Sequence, residues 1–87
     1  MITKMEKIVN EIGLHARPAS VFCNIALEYQ CDITMKVKDK SFNAKSILAI
    51  MAAKVKCDDE IEITCDGVDE EEAIIALTNA IREGLSE

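Results

Sequence analysis

Apolar and polar residues alternate along several stretches of this chain, a pattern typical of strands with one buried face. The alternation is strict in residues 31–38 and again in residues 60–65. It is less regular in residues 2–9, where a first strand is expected. Residues 41–44 form a short stretch that a tight turn at Asp39-Lys40 joins to the strand before it. The pattern therefore predicts four strands in an antiparallel sheet.

Two longer segments carry apolar residues every three or four positions, which places those residues on one face of a helix. The first segment runs from about Ala16 or Pro18 to about Glu28. Its predicted core positions are Val21, Phe22, Ile25, Ala26 and Tyr29. The second segment follows a turn at Gly67. Its predicted core positions are Ile74, Leu77, Ile81 and Leu85.

Capping residues mark the ends of the predicted helices. Ser46 precedes a short apolar run over residues 47–53, and because serine is a preferred N-cap we expect a short helix to begin there. Asp69 is expected to cap the last helix, with Glu72 completing an aspartate variant of the capping box. The acidic residues of that first turn complement the helix dipole, and Gly84 suits the helix end.

The predicted elements follow the order β-α-β-β-α-β-α, which indicates an α+β fold. We expect an open-faced two-layer sandwich, in which three helices cover one face of a four-stranded antiparallel sheet and the other face meets water. Residues 10–15 are the loop between the first strand and the first helix, with Gly13 as its turn residue. The length of 87 residues, without repeats or a linker, predicts one domain over residues 1–87.

Charge disfavours several classes of partner. The formal net charge is −6 at pH 7, with nine of the sixteen acidic residues between Asp58 and Glu72 and six of the ten basic residues between Lys36 and Lys56. This acidic balance argues against nucleic acid, which is bound through many contacts between basic residues and phosphates. It argues equally against anionic membranes. Most of these charges are expected to form a solubilising surface.

The four cysteines, at positions 23, 31, 57 and 65, do not form a metal-binding pattern. No two have the C-x-x-C spacing, and the single histidine lies apart from them, so a zinc site is disfavoured. Residues 1–9 lack the apolar segment of a secretory signal peptide, and no apolar run approaches the length of a membrane span. We therefore expect reduced thiols in a cytoplasmic protein.

The candidate chemistry lies in Gly13-Leu14-His15-Ala16-Arg17-Pro18-Ala19, which holds the only histidine and the only proline of the chain. Histidine is the side chain that can act as a neutral nucleophile or as a cation near neutral pH. Arg17 offers a planar fork of donors for a phosphate or a carboxylate. Pro18 is tolerated in the first turn of a helix, whose free N–H groups favour an anion. Together these features indicate a site for a phosphoryl group or another oxyanion.

The chain resembles the HPr family, the histidine-containing phosphocarriers of the bacterial sugar phosphotransferase system. The resemblance covers essentially the whole chain. It rests on residues 13–19, on Asn43-Ala44-Lys45-Ser46-Ile47-Leu48 with Met51, and on Gly67 followed by Asp69-Glu70-Glu71-Glu72-Ala73. It implies an open-faced sandwich and a carrier that is a substrate of Enzyme I, with a transient phosphohistidine, instead of an enzyme with turnover of its own. It implies no cofactor and no metal.

The resemblance implies that His15 accepts a phosphoryl group from phosphorylated Enzyme I and passes it to the IIA domains of sugar permeases. Arg17 and nearby backbone N–H groups would hold the phosphate oxygens. Ser46 matches the serine that HPr kinase/phosphorylase modifies, which would also imply a catabolite-control transcription factor as a partner. Without the resemblance, Ser46 would be interpreted as a helix cap alone.

The apolar residues Ile47, Leu48 and Met51 have two interpretations, which are core packing and a docking surface. The resemblance favours docking, with Ala44 and Ile50 packed inward. The family commonly has glycine near the second helix where this chain has Ala49, Lys54 and Asp58. Glycine at a helix exit relieves a left-handed backbone, so Lys54 would be strained there or would need a different turn.

Asn24 and Leu27 stand where some members of the family place basic residues that meet Enzyme I. These departures leave a second hypothesis open, that of an HPr-like paralogue acting mainly as a regulatory binding module through phosphorylated Ser46. A small ligand-binding module without phosphotransfer has no positive feature in its favour. A histidine phosphatase is disfavoured, because a catalytic phosphate pocket needs more than the single Arg17 and the sequence offers no identifiable acid–base partner.

Overall fold

A computed structural model describes residues 1–11 and 13–85 of the chain. The strands are β1 (Ile2–Lys7), β2 (Asp32–Val37), β3 (Lys40–Asn43) and β4 (Glu60–Asp66). The helices are α1 (Ala16–Leu27), α2 (Ile47–Ala52) and α3 (Glu70–Arg82). The predicted order β-α-β-β-α-β-α and the α+β fold are confirmed. The predicted loop over residues 10–15 includes residue 12, which lies outside the described residues.

The four strands form one antiparallel sheet in the order β1-β4-β2-β3. The register pairs Ile33 with Cys65 and Met35 with Ile63, so buried residues of the two central strands lie opposite each other. On the other face, the hydroxyl groups of Thr3 and Thr64 are 3.0 Å apart and within hydrogen-bonding distance. Because side chains alternate along a strand, one face of the sheet is apolar and the other polar, as expected.

The helices supply the second half of the core. Phe22 and Ala26 of α1 are fully buried, and Val21, Ile25 and Tyr29 pack against the core with part of their surface exposed. The predicted apolar positions of the last helix are all buried: Ile74, Leu77, Ile81 and Leu85. α3 packs on β1 and β4, and α1 packs on both other helices. The two helical patterns therefore identified the core correctly.

The hairpin between β2 and β3 turns one residue earlier than expected. Lys38 and Asp39 both have positive φ, of 50° and 68°, as in the two-residue turns that suit the twist of paired strands. β3 consequently begins at Lys40, which the alternation had assigned to the turn. Ala44 lies beyond the strand but is fully buried, and its N–H donates to the carbonyl of Ile33 at 3.0 Å.

The predicted capping box at Asp69 and Glu72 is wrong. Asp69 occupies the N-cap position of α3, but its side chain makes no cap hydrogen bond. Its carboxylate accepts from the backbone N–H groups of Gln30 at 2.8 Å and Cys31 at 2.9 Å. These backbone donors, that of Gln30 first, lower the pKa of the Asp69 carboxyl. Asp69 therefore ties the start of α3 to the segment between α1 and β2.

The end of α3 follows the expected glycine pattern. Gly84 has a φ of 86°, its N–H donates to the carbonyl of Ile81, and the N–H of Leu85 donates to the carbonyl of Ala80. These two bonds form a Schellman motif, which satisfies carbonyl groups at the helix end. They also place Leu85 in the core.

All four cysteines are free thiols, with Cys57 half-buried and the other three buried. Burial raises the pKa of the Cys65 thiol to about 12. Burial also raises the pKa of Cys31, and the neighbouring Asp69 carboxylate adds to this effect. Such thiols stay protonated at neutral pH and act as small apolar side chains.

Candidate functional site

The loop before α1 is held by hydrogen bonds on both sides of the undescribed residue 12. The N–H of Gly13 donates to the carbonyl of Asn10 at 3.0 Å, and the N–H of Leu14 donates to the carbonyl of Val55 at 3.0 Å. Leu14 is buried in the core. These contacts attach the loop to the segment that follows α2 and set the direction in which the chain enters α1.

Gly13 is required at its position for two reasons. Its φ is +79°, which side-chain-bearing residues rarely adopt. A Cβ atom here would collide with the carbonyl oxygen of Val55 and lie 2.7 Å from the Cα of Lys56. The close approach of the two backbones therefore depends on glycine.

His15 is the N-cap residue of α1. Its backbone is extended, with φ −82° and ψ −168°, and its carbonyl accepts the N–H of Ala19 at 2.9 Å. Its imidazole makes no side-chain cap bond and is partly exposed. The imidazole is thereby placed at the positive end of the helix dipole, where the first N–H groups have no acceptor within the helix.

Arg17 and Pro18 lie in the first turn of α1, as predicted. Arg17 is exposed at the second helical position, whereas Pro18 is buried at the third. Proline has no N–H to donate, so the N–H groups of Ala16 and Arg17 remain for a ligand at this helix end. The described first turn contains no acidic residue that would repel an anion. Imidazole, guanidinium and two N–H groups therefore lie within one helical turn.

Ser46 is the N-cap of α2, as the sequence predicted. Its hydroxyl accepts the N–H of Ala49 at 3.2 Å, and its carbonyl accepts the N–H of Ile50 at 3.0 Å. Since the His15 loop bonds to Val55, just beyond the other end of α2, Ser46 and that loop adjoin opposite ends of this helix. Six residues give the helix a length of about 9 Å.

One face of α2 is apolar and exposed. Leu48 is 78% exposed, Met51 40% and Ile47 37%, whereas Ile50 and Ala44 are fully buried as expected. α2 also packs against α1, the helix that carries His15. The apolar run of residues 47–53 is thus divided between core and surface by its position on the helix. We call Ile47, Leu48 and Met51 the α2 patch.

Asn10 supports the His15 loop, although no pattern in the sequence singled it out. It is 3% exposed, and its amide donates to the carbonyl of Gly84 beyond α3. Its own carbonyl accepts from Gly13, so this residue connects the loop to the end of the last helix. The partner lies 74 residues away, a separation at which periodicity carries no signal.

The departures from the family pattern have structural consequences. Lys54 and Asp58 both have positive φ, of 53° and 72°. Of the two alternatives expected for Lys54, the structure shows the left-handed backbone, which residues with a Cβ disfavour.

The described residues contain neither a metal-binding cluster nor a membrane span. No group of three or more histidine, cysteine, aspartate or glutamate residues among them could hold a metal ion. None of the described helices has the length and apolar character that a transmembrane helix needs.

Comparison with known proteins identifies the family. Residues 2–83 match a family model whose description is the phosphorylation site of the HPr component of the phosphotransferase system (PTS). HPr-C-His from Thermoanaerobacter tengcongensis is 38% identical, with a TM-score of 0.96 over 100% of this chain and 98% of that one. The histidine-containing phosphocarrier protein of Mycoplasma is also 38% identical, with a TM-score of 0.90 over 97% of each chain.

A third similar structure is Crh, the catabolite repression protein of Bacillus subtilis, described as a domain-swapped dimer. It is 31% identical, with a TM-score of 0.77 over 95% of each chain. The family model, the sandwich fold and these similarities support a phosphocarrier role in the phosphotransferase system. The chain belongs to the HPr family.

Proposed function

We propose that this protein carries a phosphoryl group on His15, receiving it from phosphorylated Enzyme I and passing it to the IIA domains of sugar permeases. The observation that supports this most directly is the position of His15 as the N-cap of α1, with Arg17 in the first turn. An exposed helix end can be reached by two successive partners. We further propose that residues 1–87 act as a single HPr-like domain in the cytoplasm.

The chemistry needs little beyond a nucleophile and positioning. A lone pair on the neutral imidazole of His15 attacks phosphorus, so that one N–P bond forms while the bond between phosphorus and the donor group of Enzyme I breaks. In the second transfer, the IIA nucleophile attacks the same phosphorus and the imidazole of His15 leaves. Because each step exchanges one bond to phosphorus for another, no cofactor is needed.

The protein contributes charge at the transferring group. The guanidinium of Arg17 and the backbone N–H groups of Ala16 and Arg17 would donate hydrogen bonds to the phosphoryl oxygens. Donors arranged in advance around developing charge are the main contribution of proteins to phosphoryl transfer. This arrangement stabilises the phosphohistidine moderately and leaves it open to the acceptor, as a carrier requires.

The α2 patch is proposed as the docking surface for Enzyme I and the IIA domains. Its exposure and the packing of α2 against α1 support this role. Ser46 is proposed as a regulatory phosphorylation site for HPr kinase/phosphorylase. A phosphate at this N-cap gains from the helix N-terminus but adds about −1.5 to −2 charge next to Ile47, which would repel an acidic partner surface.

Intact-mass spectrometry after incubation with Enzyme I and phosphoenolpyruvate tests the carrier role. We expect one added phosphoryl group that is lost in mild acid, because phosphohistidine is acid-labile. His15→Ala should abolish the addition, and Ser46→Ala, the matched control, should retain it. A phosphoryl group that persists in His15→Ala would refute the assignment. Arg17→Ala should retain the addition at a reduced rate.

A regulatory binding module is the second candidate, supported by Ser46 at the N-cap beside exposed Ile47 and Leu48 and by the similarity to Crh. The partner would be a catabolite-control transcription factor that recognises phosphorylated Ser46. After phosphorylation by HPr kinase, binding to that factor should survive His15→Ala and disappear in Ser46→Ala. Failure of Enzyme I to load His15, combined with such binding, would favour this candidate over the carrier.

A further inference from the structure

A cleft of about 370 Å³ lies between the β2–β3 hairpin and the end of α2. Three lysines line it, namely Lys38, Lys40 and Lys54. Its apolar lining includes Val37, Phe42 and Ala53. We call it the lysine cleft. Its volume is within the range of small-molecule sites, which is roughly 300–1,000 Å³.

The lysine cleft carries one sign of charge. No carboxylate lines it, and within residues 1–11 and 13–85 the three ammonium groups make no ion pair. Lys38 also lines a neighbouring hollow, together with Asp39, Glu60 and Glu62. In a protein with a net charge of −6, the lysine cleft itself is a local concentration of positive charge.

Two of the lysines have a left-handed backbone conformation, which glycine adopts more readily than any other residue. Lys38 has a φ of 50° and Lys54 a φ of 53°. Residues with a Cβ are disfavoured in this left-handed region. The two positions belong to turns 16 residues apart in the chain, and both residues line the same cleft. Strained positions of this kind are concentrated at functional sites, although strain alone does not make a site.

Ordinary structural roles explain each lysine singly but not their arrangement. Lys54 follows the end of α2, where a cation complements the helix dipole. Lys40 lies on the edge strand β3, and lysines on such strands oppose aggregation. Neither role requires a third lysine at Lys38 or a concave apolar floor between the three charges.

We propose that the lysine cleft binds a small organic phosphate, with the phosphate on the ammonium groups and an apolar portion on Val37 and Phe42. Lysine binds phosphate as a point charge, and three such charges match a dianion. The apolar floor adds affinity that inorganic phosphate cannot gain. This inference does not depend on the proposed function, since none of these residues takes part in phosphoryl transfer at His15.

Titration of the ¹⁵N-labelled protein with phenyl phosphate, followed by amide chemical shifts, tests the inference. Phenyl phosphate carries both a dianion and an apolar ring, and inorganic phosphate serves as the probe without the ring. We expect shifts confined to the hairpin and the end of α2, with phenyl phosphate binding several-fold more tightly than inorganic phosphate. The affinity should fall as sodium chloride is raised, because salt screens exposed charges.

Three substitutions remove the charges without adding strain: Lys38→Asn, Lys40→Gln and Lys54→Gly. Each should weaken binding about two- to fivefold, as expected for an exposed charge contact, and the triple variant should lose binding. Lys36→Gln is the matched control, because Lys36 lies on β2 and lines the neighbouring hollow but not the lysine cleft. It should bind phenyl phosphate as the unmodified protein does.

Three results would overturn the inference. Equal affinity for the two probes would mean that the apolar floor plays no part. Equal weakening by Lys36→Gln would reduce the effect to general screening of charge. Tighter binding of an acidic peptide than of phenyl phosphate would identify the cleft as a protein-docking surface. The loading of His15 by Enzyme I is measured in a separate assay, so none of these three results would count for or against the proposed carrier function.

Discussion

Replacing Lys54 by glycine should make this protein more stable, although glycine usually destabilises folded proteins. Lys54 has a φ of 53°, in the left-handed region. A side-chain-bearing residue pays about 1–2 kcal/mol there, whereas glycine is free of that cost. Glycine in turn loses more chain entropy on folding, which offsets about 0.5–1 kcal/mol. The net gain should be about 0.5–1 kcal/mol, or roughly 2–8 °C in Tm for a domain of this size.

The assay is urea unfolding followed by far-UV circular dichroism, with two reference substitutions. Lys54→Ala removes the same side chain and charge but keeps the Cβ, so the difference between glycine and alanine at this position isolates the backbone effect. Lys56, two residues on, is an exposed lysine whose φ is not positive. At Lys56 the order should reverse, with glycine less stable than alanine by about 0.4–1 kcal/mol.

The sign of this difference decides the test. If alanine at position 54 is as stable as glycine, the left-handed conformation of Lys54 costs nothing. The turn at Lys54 would then hold no backbone strain, and its conformation would not support the lysine cleft. An equal gain from glycine at positions 54 and 56 would refute it as well, because the effect would not depend on φ.

Three further predictions concern local interactions. Ser46→Ala should lower the free energy of unfolding by about 1 kcal/mol in urea titrations, because the N–H of Ala49 loses its cap. Gly13→Ala should lower it by at least about 1–2 kcal/mol in the same assay, since the backbone is left-handed and the added Cβ meets Val55. Asp69→Asn should reduce the loss of stability in acid, because the pKa of Asp69 in the folded state lies below its ordinary value of 3.8. The stabilisation by the Asp69 carboxylate is complete above pH 3.8 and is lost as the pH falls through the folded-state pKa.

Each of these predictions has a contradicting outcome. Unchanged stability of Ser46→Ala would mean that water replaces the cap. A fully stable Gly13→Ala would show that the loop can move away from the segment after α2. If the stability of Asp69→Asn and of the unmodified protein depends on pH in the same way, protonation of Asp69 does not contribute to acid unfolding.

Local patterns predicted most of the fold. The strict alternation from Cys31 to Lys38 identified the half-buried strand β2, because side chains alternate across a sheet whatever the partner strand is. The positions of Ile74 and Leu77 identified the buried face of α3 by the same kind of reasoning. Ser46 was identified as an N-cap from residue type and from the helix formers that follow it.

The candidate site was predicted in part. His15, Arg17 and Pro18 were expected in one helical turn because they are adjacent in the chain, and the structure places them there. Their chemical roles remain predictions. The division of the α2 run between buried Ile50 and exposed Leu48 depended on which side of α2 meets α1 and β3, and the apolar run itself does not reveal that side.

Periodicity, capping preferences and the adjacency of His15 and Arg17 can be read from the sequence, because each depends on residues a few positions apart. Which distant groups meet depends instead on how the helices pack on the sheet. Asp69 looked like a cap in its own helix, yet its carboxylate binds backbone donors 38 and 39 residues away. Lys38 and Lys54 looked like separate surface charges until two turns brought them to one cleft. Contacts of this range are set by the packing of whole elements, and no short stretch of residues encodes them.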